Sequence, residues 1–264
     1  MGRGANTHFT FDLGDVVSLT LAAALLTGTL SVLAVAEGSA AYTDADQINY
    51  REAVDTMTQL GIIAGKDSGA FDPQGLVTRA EAAKLLAVML VGGQEDKLVL
   101  SEEAPAFTDS QDHWARDYIA FCVQKGVIAG RSEEAFDPDG QVTGSELAKM
   151  ALVALGYDPI VFGLTGADWE ISVNAYVNQP NVNLYAGLKD EIDPFEAITR
   201  EQAAQLLSNT LNAQMMSDSP TQTGVENGEE VTTFHTPKKD EAGDPVTFRM
   251  EYFAQPAEEQ TPEA

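Results

Sequence analysis

The chain has 264 residues, 44% of them hydrophobic, enough to bury one or two cores. Its 41 acidic residues outnumber 15 basic ones and leave a formal charge of −26, which argues against nucleic acid as a partner because phosphate binding needs a basic footprint. A single cysteine, Cys122, excludes an internal disulfide, and its helical neighbours mark it as a small core residue.

Residues 16–36 read VVSLTLAAALLTGTLSVLAVA, with no charge. The run is just long enough to cross a membrane. It is also followed by small-x-small exits at 34–36 and 39–41, the mark of an export signal, although Arg3 is the only permanent cation ahead of it. We expect residues 1–41 to be a signal peptide, with a retained N-terminal membrane segment as the alternative. In either case the remainder is delivered outside the cytoplasmic membrane.

From residue 42 the sequence repeats itself. Segments 42–91 and 107–156 align without a gap at a spacing of 65 residues, and a looser third copy follows. The phrase FDPQGLVTRAE (71–81) becomes FDPDGQVTGSE (136–146) and then IDPFEAITREQ (192–202). Each unit reads as helix, loop, helix. In unit one Ala53, Val54, Met57 and Leu60 share one helical face. In unit two a helix over His113–Lys125 aligns Trp114, Tyr118, Phe121 and Cys122. Gly61 and Gly126 stop these first helices. Pro73, Pro138 and Pro194 bias the preceding aspartates toward extended backbone. The second helices start at capping boxes: Thr78 with Glu81, Thr143 with Glu146, and Thr199 with Gln202. They are apolar on most sides, as helices at the middle of a bundle are.

The caps do not explain Arg79 and Arg200 at the first helical position, where the dipole disfavours a cation. The plain reading is an exposed arginine that swings into solvent; the sharper one is an anion site formed with the helix N-terminus. Unit two has Gly144 there, so its site should be weak or absent. After Ala213 the composition turns polar and acidic, as in a linker. Residues 231–237 and 245–253 could form a small hairpin, and the last residues should be disordered.

The units resemble surface-layer homology (SLH) repeats. The resemblance rests on YTD (42–44) and FTD (107–109), Trp114, GIIAG (61–65) and GVIAG (126–130), FDP twice, and VTRAE (77–81). It covers about residues 42–212. Unit one has Asn49 in the place of Trp114, and unit three lacks the opening F-x-D, although Trp169 can stand as its tryptophan. The resemblance implies an all-α fold: three helix-loop-helix repeats in a pseudo-threefold arrangement round a central three-helix bundle, with a largely disordered C-terminal tail. The divisions are 1–41, 42–106 (repeat one and linker), 107–157 (repeat two), 158–212 (repeat three, degenerate) and 213–264. It further implies non-covalent anchoring to the cell wall through an anionic, often pyruvylated, secondary wall polysaccharide held in grooves between repeats. Other surface-layer subunits are possible partners. The groove candidates carried over are Arg79, Arg200, Asp44, Asp109, Trp114, Gly65 and Gly130, with Arg79 expected beside Asp44 and Gly65. Each also has a plainer reading: aspartates capping first helices, Trp114 in the core, glycines serving turns. No catalytic set, cofactor motif or complete metal loop is seen. Ala135, Asp137, Asp139, Gly140 and Glu146 follow a calcium-loop register but lack the first acidic ligand. A calcium-controlled module and a lattice protein without wall binding stand as alternatives.

Overall fold

The computed structural model describes residues 42–100, 107–188, 192–217, 222–226, 229–233 and 236–253. The apolar run at 16–36 lies outside them. Among the described residues no helix is long and apolar enough to cross a membrane.

The fold is helical. Unit one contributes α1 (Arg51–Gln59) and α2 (Arg79–Leu90), unit two α3 (Arg116–Gln124) and α4 (Gly144–Ala154), unit three α5 (Trp169–Val177) and α6 (Arg200–Asn212). Two left-handed glycines, Gly61 at φ 70° and Gly126 at φ 71°, end α1 and α3. In each case the next two amides fold back onto the last turn: Gly61 to Thr58 and Ile62 to Met57, then Gly126 to Val123 and Val127 to Cys122. The α3 helix begins at Arg116, three residues later than its apolar spacing predicts. Phe121 and Cys122 are buried on it, whereas Trp114 precedes it and is 58% exposed.

The second helices start as their sequences dictate. Thr78, Thr143 and Thr199 accept from the amides of Glu81, Glu146 and Gln202, whose side chains accept from the threonine amides in return. These helices bury residues on most sides, and α4 packs against both α2 and α6. Each first helix leans on the second helix of another unit: α3 on α2, α5 on α4, and α1 on α6. The extended residues before the caps close a ring at the centre. Val77 N donates to Ile198 O (3.0 Å), Ile198 N to Val142 O (2.9 Å), and Val142 N to Val77 O (3.0 Å). All three side chains are buried.

The tail departs from a disordered linker. A hairpin forms at β1 (Gln222–Glu226) and β2 (Glu229–Thr233); its second strand overlaps the start of the 231–237 stretch, but its partner lies before it and not at 245–253. Residues 248–253 form a short helix, α7, instead of a strand. Residue Thr247 precedes α7 as the cap threonines precede the second helices, and its Oγ1 accepts from Met250 N. The chain on either side of the hairpin closes the far end of the second helices. Met216 N donates to Leu155 O beyond α4, and Phe248 N to Ala213 O beyond α6. At the end of α2, a side chain in place of Gly92 would collide with the Tyr252 carbonyl. Phe248 is fully buried. Phe248→Ala should lower unfolding free energy by about 3–5 kcal/mol, the usual cost of emptying a buried aromatic site. A urea melt followed by circular dichroism checks this, and a single cooperative transition is expected for both proteins.

Candidate functional site

Arg79 and Arg200 occupy the first turn of α2 and α6, and both are buried, at 3% and 8% exposure. Each guanidinium finds its partners across a unit boundary. Arg79 of unit one lies over the Phe136 ring of unit two, 4.5 Å from its centroid. Its Nε donates to the Phe136 carbonyl (2.9 Å) and its Nη2 to the Ala129 carbonyl (2.7 Å). Arg200 of unit three treats unit one alike: Nε to Phe71 O (2.9 Å), Nη2 to Ala64 O (3.0 Å), over the Phe71 ring at 5.1 Å. Burial pulls Arg79 below its ordinary pKa, Arg131 acts in the same direction, and Glu146, Asp137 and Asp109 oppose it. A guanidinium remains charged throughout.

The helix-start amides are not free to hold an anion. Arg79 N and Ala80 N donate to Gly140 O and Pro138 O, Arg200 N and Glu201 N to Gly75 O and Pro73 O, and the third amides go to the capping threonines. The capping boxes placed the arginines correctly at helix starts, but the dipole argument assigned them the wrong compensation. Carbonyls and an aromatic face of the next unit supply it.

Two grooves open where units meet. Groove A, about 750 Å³, is lined by Ile62–Ser68 and α2 of unit one, Trp114 of unit two and Arg200 of unit three. Groove B, about 420 Å³, is lined by Gly126–Arg131 and α4 of unit two, Trp169 of unit three and Arg79 of unit one. Gly65 therefore shares its groove with Arg200, and Gly130 with Arg79, which is not the Arg79, Asp44 and Gly65 grouping expected from the sequence. Neither glycine has positive φ. A Cβ on Gly65 would come within 2.6 Å of the Tyr42 ring, and one on Gly130 would strike Phe107, so both let an opening aromatic pack close. Groove A carries Lys66, Lys84 and Arg200 against Asp67 and Glu81, and groove B carries Arg79, Arg131 and Lys149 against Glu146. Six of the chain's 15 basic residues thus line two grooves of a strongly acidic protein. Lys66 with Arg131, and Lys84 with Lys149, recur at the repeat spacing. That recurrence is the signal that could have found them in the sequence.

Asp44 and Asp109 neither cap a first helix through their side chains nor line a groove. Asp44 accepts from Phe71 N (2.7 Å) and Asp72 N (2.8 Å). Asp109 accepts from Phe136 N (3.0 Å) and Asp137 N (2.8 Å). They pin residues in strained backbone: Asp72 at φ 61° and Asp137 at φ 64°, left-handed conformations rather than the extended ones expected before proline. Burial raises both carboxylates, but the bonded amides, with Arg200 for Asp44 and Arg79 for Asp109, hold them below their ordinary value.

The third boundary is built differently. Ile192 stands where Phe71 and Phe136 stand, and Asp193 lacks the left-handed turn. A Cβ on Gly144 would come within 3.0 Å of Ile192 Cδ1 and 3.1 Å of Pro194 Cα. Gly144 thus lacks both the ring an arginine would lie on and the room for it. Among the described residues, no group of three or more His, Cys, Asp or Glu side chains is placed to hold a metal ion.

A family model described as the S-layer homology domain matches residues 41–83 and 106–148. The chain carries two S-layer homology repeats over those residues. It is a protein of the cell surface. Residues 158–212 lie outside the family match, although they share the capped helix-loop-helix. The chain is 28% identical over 203 residues to an S-layer protein of Bacillus thuringiensis subsp. finitimus, covering 74% of this chain and 24% of that one. It is 28% identical over 207 residues to the S-layer protein sap of Bacillus anthracis, with the same coverage. A third relative, from Bacillus anthracis, is named an uncharacterized cell wall amidase and is 31% identical over 154 residues, 55% of this chain and 28% of that one. The chain spans about a quarter of the length of these relatives.

The aspartate clamps predict an acid response. Their folded pKa values are lowered, so their stabilisation is complete above the unfolded value near pH 4 and is lost as pH falls through the folded values. The double variant Asp44→Asn, Asp109→Asn should be about 1–3 kcal/mol less stable at pH 7. Its stability should also vary less than the parent's between pH 5 and about pH 2. Urea melts across that range check both.

Proposed function

We propose that this module anchors a surface protein non-covalently to the cell wall by holding an anionic secondary wall polysaccharide in grooves A and B. One observation carries the reading: each groove gathers three cations and a tryptophan on a chain of net charge −26. Trp114 stands exposed beside groove A, and such a ring offers a flat apolar face to a sugar. The overall repulsion between an acidic chain and an acidic polymer is screened beyond about 8 Å at physiological salt, while groove contacts act within that range.

In this reading Arg79 and Arg200 shape the grooves, Gly65 and Gly130 let the walls close, and Asp44 and Asp109 hold the loops. Units one, two and three are the divisions at 42–106, 107–157 and 158–212. The ring formed by Val77, Val142 and Ile198 supports their pseudo-threefold arrangement. The module binds and does not catalyse.

Purified walls of the producing cells test the reading, before and after chemical removal of acidic substituents. The parent protein should sediment with untreated walls and bind stripped walls at least about tenfold more weakly, the scale of a charge-assisted contact. Equal binding to both would overturn it.

A further inference from the structure

The cations lining the grooves are not equally available to a ligand. In groove A, Lys66 lies near Asp72 (3.6 Å) and Glu81 (3.8 Å), Lys84 near Glu95 (3.6 Å), and Arg200 near Glu81 (3.7 Å). In groove B, Arg131 is bound to Glu146 at 2.7 Å, and Arg79 spends Nε and Nη2 on carbonyls. Lys149 differs from all five. It is half-buried, and among the described residues it has no carboxylate within ion-pair distance. Its ammonium lies over the Trp169 ring, 4.9 Å from the centroid. Burial draws its pKa below the ordinary lysine value, and Glu146 pulls it back in part. A half-buried ammonium on a ring face, with no carboxylate at ion-pair distance, is costly unless something anionic joins it.

We propose that Lys149 is the ligand-recognising cation of groove B, held on Trp169 to meet an anionic substituent of a sugar, while Arg79 acts as the brace of the groove. This rests on the groove reading above. The open donors there, the Lys149 ammonium and Arg79 Nη1, suit one anionic group and leave the Trp169 edge for the sugar that carries it. Groove A has no unmatched cation of this kind, so groove B, the smaller of the two, carries most of the charge selectivity.

Lys149→Gln separates a ligand role from a structural one. It removes an unmatched charge, so the melting temperature should stay level or rise. Affinity for the soluble anionic polysaccharide released from the producing cells' walls, measured by calorimetry, should fall about tenfold or more. Lys149→Arg should bind within about threefold of the parent, because the positive charge is kept. Lys97→Gln, an exposed charge away from both grooves, controls for net charge. If the parent binds and Lys149→Gln binds equally well, the inference is wrong and the groove reading stands. A loss of binding accompanied by a lower melting temperature would also overturn the inference, since Lys149 would then be structural. If the parent does not bind the anionic polysaccharide, the groove reading fails and the inference with it.

Discussion

Each second helix of this protein begins on hydrogen bonds that its own unit cannot supply. A helix start leaves four amides without intrahelical partners. Here the threonine cap takes the third, and carbonyls of another unit's loop take the first two: Gly140 and Pro138 for α2, Glu196 and Pro194 for α4, Gly75 and Pro73 for α6. The donors run from unit one to two, two to three and three back to one, closed by the ring of Val77, Ile198 and Val142. A unit alone would leave buried donors unmet and an apolar helix bare. The grooves follow from the same constraint, because a loop that must accept from its neighbour's helix start lies against that neighbour. An arginine at the helix start then reaches over the boundary into the same loop.

The degeneracy of unit three is concerted. A buried arginine without its cradle, or a cradle without its arginine, leaves charged or polar groups unsatisfied. At the boundary of units two and three both are absent: Gly144 for the arginine and Ile192 for the phenylalanine. Among the described residues of unit three no aspartate takes the Ile192 amide, which donates to Leu188 O, and Asp193 is not left-handed. At the boundary of units three and one, the position equivalent to Trp114 is Asn49. Its amide and side chain donate to buried Glu201 at 2.6 and 2.9 Å, and Gln74 adds a third contact at 2.6 Å. A polar latch stands where the other boundaries carry a tryptophan.

Much of this was legible in the sequence. The capping boxes, the glycine stops and the apolar second helices rest on local chemistry, and local chemistry is written in adjacent residues. The partners of the arginines were not legible. Arg79 meets Phe136 and Arg200 meets Phe71, 57 and 129 residues away, and a repeat cannot say which copy a side chain will reach. The strained aspartates were misread because the proline rule is statistical, whereas a carboxylate accepting two amides fixes a particular turn. The tail was misread from composition. Residue Thr247 before α7 carries the same cap signal as the repeats, but the surrounding residues gave no helical period long enough to reveal six residues of helix.

The central claim is that the helix-start arginines are ties between units. Arg79→Ala tests it most directly, by equilibrium urea unfolding of the whole chain. The dipole alone predicts unchanged or slightly greater stability when a cation leaves a helix start. The structure predicts a loss of about 2–4 kcal/mol, because two buried carbonyls lose a charged donor and the Phe136 ring loses its cover. Stability equal to or above that of the parent would contradict the account.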